Sequence, residues 1–102
     1  RNSVEHFYPQ NPNADEGHEK LPPEELNNFG NLCIMARGHN SLRSNLMPDA
    51  KIKEFKATDQ SLKFELMQKL AENDGIWYVD QINKHSQQMK DILSEFVEKD
   101  DK

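Results

Sequence analysis

The sequence predicts an α+β fold, a small ββα unit packed with C-terminal helices. Three observations predict it. Residues 3–8 and 31–37 are short and carry the apolar and aromatic side chains that suit strands. Residues 39–46 follow the second of these stretches and can form a short helix. Toward the end, Tyr78, Ile82, His85, Met89, Ile92 and Phe96 are spaced by four, three, four, three and four, which is one continuous helical face.

Taken in order, residues 3–8 form the first strand, and Pro9 ends it by removing a backbone donor. The chain opens only a few residues earlier, so the expectation is one domain over 1–102 cut from a longer protein. Residues 10–25 hold three prolines, one glycine and many acids, and read as a mobile loop. Within it, Pro22-Pro23-Glu24-Glu25-Leu26 can start a short helix, with proline in the first turn and acids near the N-terminus. Residues 27–30 read as a turn. The second strand, 31–37, is expected to face a core with Leu32, Ile34 and Met35, and Gly38 breaks it. Pro48 and Asp49 open a further helix to about Phe55. Thr58 or Asp59 is an N-cap for a helix over 60–72, where Leu62, Leu66 and Leu70 recur every four residues. Residues 73–75, Asn-Asp-Gly, end it. The longest element runs over 76–97, and the charged tail 98–102 is expected to fray.

Composition narrows the function. Hydrophobic residues make up 34% of the 102 and charged residues 30%, enough for one compact core. No apolar run approaches the ~18 residues of a membrane span, and no secretory signal is visible. Cys33 is the only cysteine, which excludes an internal disulfide and a cysteine zinc cage. A cytoplasmic setting fits. The net charge of −5 speaks against a generic nucleic-acid binder, but its distribution is uneven. Residues 1–32 and 57–102 each carry net −4, whereas 33–56 hold five basic and two acidic side chains, net +3. A local basic patch can hold a phosphate backbone on an acidic protein. Arg37, Arg43, Lys51 and Lys53 are the candidate phosphate contacts. Binding through an acidic domain would be helped by another domain or subunit.

The chemistry centres on two motifs. Val4-Glu5-His6-Phe7-Tyr8-Pro9-Gln10 supplies a Glu-His pair, and the stretch from Gly30 to Asn45 supplies Asn31 and, nine residues later, Asn40. A histidine, an asparagine and a metal-binding residue nine positions on form the skeleton of an HNH nuclease. Phosphodiester hydrolysis needs a base for water and a cation for the leaving oxygen. His6 is the natural base, because an imidazole ordinarily titrates near neutrality. Glu5 and Asn40 offer hard oxygen ligands for Mg²⁺ or Mn²⁺. Neighbouring strand residues face opposite sides, so Glu5 and His6 share a site only where the strand bends or ends. Asn31 reads as structural, its amide tying the loop after the first strand to the second. A zinc site from Cys33, His6, His18 and His39 lacks regular ligand spacing. Trp77 and Tyr78 read as core anchors, and His85 as a hydrogen-bonded core histidine.

Val-Glu-His-Phe-Tyr-Pro-Gln-Asn-Pro, followed by Phe-Gly-Asn-Leu-Cys-Ile-Met-Ala-Arg-Gly-His-Asn-Ser-Leu-Arg-Ser-Asn, resembles the C-terminal nuclease domain of GmrSD-type, modification-dependent restriction endonucleases. That family shows Glu/Asp-His-Ile-x-Pro-Gln, then Gly-Asn-Leu, then Asn-Ser-x-x-Ser-Asn, then a lysine and an aromatic. Lys51 or Lys53 and Phe55 stand at the last two. Trp77 and Ile82 match a later tryptophan and isoleucine, and His85 stands where arginine is common. The resemblance covers about residues 3–97. It implies a ββα-metal (HNH, His-Me finger) fold with His6 as general base, Asn31 as the HNH asparagine, and Glu5 and Asn40 at the metal. It also implies DNA cleavage in restriction or anti-phage defence, with an upstream ParB-like, nucleotide-using domain as partner. Two rivals belong beside it. One is a non-catalytic helical interaction module that keeps an HNH shell, and the other is an RNA-cutting toxin of the same fold.

Overall fold

Two strands and four helices arise from the patterns above, in a computed structural model that describes residues 2–12, 17–36, 46–55 and 61–100. Strand β1 (Asn2–His6) pairs antiparallel with β2 (Leu32–Ala36), in register from Asn2↔Ala36 to His6↔Leu32. Between them lie a single helical turn, α1 (Pro23–Leu26), and a 3-10 turn (Phe29–Asn31). Three helices follow: α2 (Pro48–Phe55), α3 (Leu62–Asp74) and α4 (Val79–Asp100). The fold is α+β. The expected helix over 39–46, which would complete the ββα unit, lies outside the described residues.

Phe7 leaves β1 and enters the core at once. Its ring meets Phe64 and Trp77 edge-on, at centroid distances of 5.7 and 4.8 Å. Met67, Ile82 and Leu26 belong to the same buried cluster. The described residues just ahead of α1, 17–22, are anchored as well. Leu21 is buried, and the Tyr8 hydroxyl donates to the Glu19 carbonyl.

The core face of β2 takes Cys33, a small core residue as its type suggests, and departs from the expectation at Ile34. Cys33 points inward at 2% exposure, while Ile34 is 50% exposed beside its cross-strand partner Val4. Four consecutive apolar residues, Leu32 to Met35, leave both parities open to the core, and pairing with β1 chooses Cys33. Helix α3 shows a similar shift. Its buried residues are Phe64, Met67 and Ala71, and Leu62 is exposed. The cap is Ser61, whose hydroxyl accepts from the Phe64 amide at 3.1 Å. Lys63 sets the rotation of this helix. Its ammonium donates to the Phe29 carbonyl at 2.9 Å and to the Leu32 carbonyl, and lies 4.5 Å from the Phe29 ring centroid.

Gly75 closes α3 in the left-handed conformation, φ 72°, with its amide on the Ala71 carbonyl. Asp74 then accepts from Gln81 and Lys84, while the Gln81 amide oxygen accepts from the Tyr78 amide at the start of α4. Helix α4 crosses the 3-10 turn at Gly30. A Cβ on Gly30 would lie 2.0 Å from the Ile82 carbonyl oxygen, so only glycine allows this approach. The face of α4 is buried at Ile82 and His85 but open at Phe96, which is 64% exposed.

Candidate active site at the end of β1

His6 is the last residue of β1 and is half-buried. Its ring Nε2 lies 2.9 Å from Asn27 Oδ1, at the C-terminal end of α1. The backbone around it is clamped. The Lys51 ammonium donates to the His6 carbonyl and, at 3.1 Å, to the Phe7 carbonyl. The Phe7 amide donates to the Asn31 carbonyl at 2.8 Å.

Asn31 is wholly buried, and every hydrogen-bonding position of its amide is used. Oδ1 accepts from the Tyr8 amide at 2.8 Å and from Trp77 Nε1 at 3.1 Å. Nδ2 donates to the Tyr8 carbonyl at 3.1 Å and to the Leu26 carbonyl at 3.0 Å. One side chain therefore joins the segment after β1, the end of α1 and the entry to α4. The 3-10 turn places it there, because the Asn28 side chain accepts from the Gly30 amide and its carbonyl from the Asn31 amide.

Lys51 departs from its expected place. The residue is only 2% exposed, and its ammonium faces backbone carbonyls rather than the solvated face where a phosphate would bind. Burial pushes its pKa down to about 8, against the pull of Cys33 and Glu5. Burial also pushes the Cys33 thiol up to about 11, so the thiol stays protonated in the core. Glu5 is half-exposed and pairs with Cys33 across the ladder. The ladder is regular to its last pair, so Glu5 and His6 leave opposite faces. His6 belongs to that last pair, so the ladder itself does not bring Glu5 and His6 to one face. Arg37, Asn40 and Arg43 lie outside the described residues, as does the side chain of Lys53. Among the described residues, no three His, Cys, Asp or Glu side chains gather closely enough to hold a metal ion.

Two contacts carry no sequence signal. Asn27 reads as a turn residue, and the Trp77 indole reads as a core anchor rather than a donor to Asn31. Only the folded chain brings them across 21 and 46 positions.

Neither the curated proteins nor the solved structures yield a match to this chain. The family model for the C-terminal domain of GmrSD restriction endonucleases matches residues 1–92, a span that takes in both strands, α2, α3 and most of α4. A match over nine-tenths of the sequence includes the Glu5-His6 pair and the Gly30-Asn31-Leu32 segment clamped to it. The chain belongs to the GmrSD restriction endonuclease C-terminal domain family.

Proposed function

We propose that this domain is an HNH-type, metal-dependent endonuclease that hydrolyses DNA phosphodiesters, with His6 as the general base. The observation that carries this reading is the clamp. A half-buried imidazole stands at a strand end whose backbone is fixed from two sides, by Lys51 and by Asn31. General-base catalysis depends on that placement first and on pKa second. Asn31 acts through structure, holding the segment that aims His6.

The metal would be held by Glu5 together with Asn40. A magnesium ion is commonly bound by one or two carboxylates, with waters and substrate phosphates completing its shell. The half-exposed Glu5 carboxylate suits that role. When bound, such an ion polarises the phosphoryl group and stabilises the departing oxygen. His6 takes the proton of the attacking water. Arg37, Arg43 and Lys53 contact phosphates, while Lys51 serves as the clamp beneath the base. The acidic balance of the domain, net −5, favours a partner that brings it to DNA. A ParB-like, nucleotide-using domain or subunit would supply this in a cytoplasmic restriction or anti-phage system.

The test is plasmid DNA mixed with the domain and Mg²⁺ or Mn²⁺. Nicking that EDTA abolishes is expected. Cutting of RNA alone would favour an RNA-cutting toxin, and cutting of neither would favour an interaction module.

A further inference from the structure

We propose that Asn27 is a positioning residue for His6, and that its side-chain oxygen fixes which imidazole nitrogen faces the reaction. The proposal rests on His6 being the base. An amide oxygen only accepts, so the 2.9 Å contact requires that His6 Nε2 carry the proton and donate it to Asn27 Oδ1. Nδ1 is then the nitrogen with the free electron pair. In a histidine, the bond made by one ring nitrogen sets the role of the other. The same bond stops rotation of the ring about its side-chain torsions, because its far edge is held.

Both ends of this contact are fixed by one residue. Asn31 Nδ2 donates to the carbonyl of Leu26, directly before Asn27, and to the carbonyl of Tyr8, two residues after His6. The Asn27 amide is itself tied to the Pro23 carbonyl at 3.0 Å. The buried amide thus sets the distance between base and orienting residue without touching either side chain. Asn27 is exposed, so its side chain contributes little to the core. An exposed asparagine engaged with a half-buried histidine across 21 positions has more to do with aiming that ring than with stability.

The experiment uses the full chain and compares Asn27→Ala, Asn27→Asp and His6→Ala. Single-turnover plasmid cutting, DNA affinity, thermal midpoint and the ¹H–¹⁵N spectrum of the His6 ring are measured. Asn27→Ala should slow cutting roughly 10- to 100-fold, by analogy with the loss of the partner that orients a metal-bound histidine. DNA affinity and thermal midpoint should stay at wild-type values, and the Nε2–H signal should be lost to exchange. Asn27→Asp keeps an acceptor oxygen in place and should restore most of the rate and the signal. Asn27→Ala cutting at the wild-type rate, while His6→Ala is inactive, would overturn the positioning role and leave the base intact. Equal losses in Asn27→Ala and Asn27→Asp, with a lowered thermal midpoint, would also overturn it. His6→Ala cutting at the wild-type rate would overturn the base itself.

Discussion

The Asn31 amide joins three separate segments of this structure. Removing its amide orphans the buried Tyr8 amide and carbonyl, the Leu26 carbonyl and the Trp77 indole N–H. Each buried group left without a partner costs about 1–3 kcal/mol. Relaxation will recover some of that, so Asn31→Ala should lose roughly 3–5 kcal/mol, at the upper end for a point change. Chemical denaturation measures it, and a loss below about 1 kcal/mol would contradict the network. His85 gives a second test. It is wholly buried, its Nδ1 donates to Gln88 Oε1, and its Nε2 has no hydrogen-bond partner among the described residues. Burial pushes its pKa down to about 4, with the nearby Lys63 charge adding to the shift. Above about pH 6.5 the ring is neutral folded or unfolded and adds no pH dependence. As pH falls from there toward 4, the unfolded chain takes the proton and the folded chain does not, so stability falls. His85→Leu should flatten that part of the stability–pH curve. An unchanged slope would contradict the buried neutral ring.

Helices and strands were legible in the sequence where one signal dominated. Proline at the start of α1 and of α2, the Asn-Asp-Gly stop and the long helix α4 all appear near their expected places, although Tyr78 precedes α4 and its face opens at Phe96. Faces were less legible where apolar residues fall on both sides. In α3, Leu62, Leu66 and Leu70 offer one stripe and Phe64, Met67 and Ala71 another. The sequence alone does not choose between them. The choice comes from Ser61 as cap and from Lys63 gripping the turn before β2, contacts made only in three dimensions. The candidate site divides in the same way. His6 and Asn31 are visible through motif spacing, whereas the Asn27 contact and the burial of Lys51 depend on how α1 and α2 dock. The docking of α4 has its own test. Gly30→Ala drives a Cβ into the Ile82 carbonyl, and backbone cannot give way as a flexible side chain can. A loss of roughly 2–4 kcal/mol is expected, with the Trp77 fluorescence changed, since Trp77 lies at the entry to α4. Wild-type stability in that variant would contradict the close approach.

At the scale of the molecule, the small sheet and the helices serve to fix one strand end. Aromatic packing of Phe7 against Phe64 and Trp77 holds the chain immediately after His6. Asn31 and Lys51 then bond its backbone from the interior. The basic segment 33–56 contributes a clamp from Lys51 as well as its positive charge. No helix among the described residues is long and apolar enough to cross a membrane. The most direct test of His6 as base is single-turnover cutting of plasmid by His6→Ala with saturating Mn²⁺. The imidazole lies outside the core and outside the proposed metal ligands, so fold and metal affinity should stay close to wild type. The rate should fall by ~10²–10⁴-fold, the usual loss of a general base. A folded His6→Ala protein that cuts at the wild-type rate, with contaminating nuclease excluded, would contradict the account.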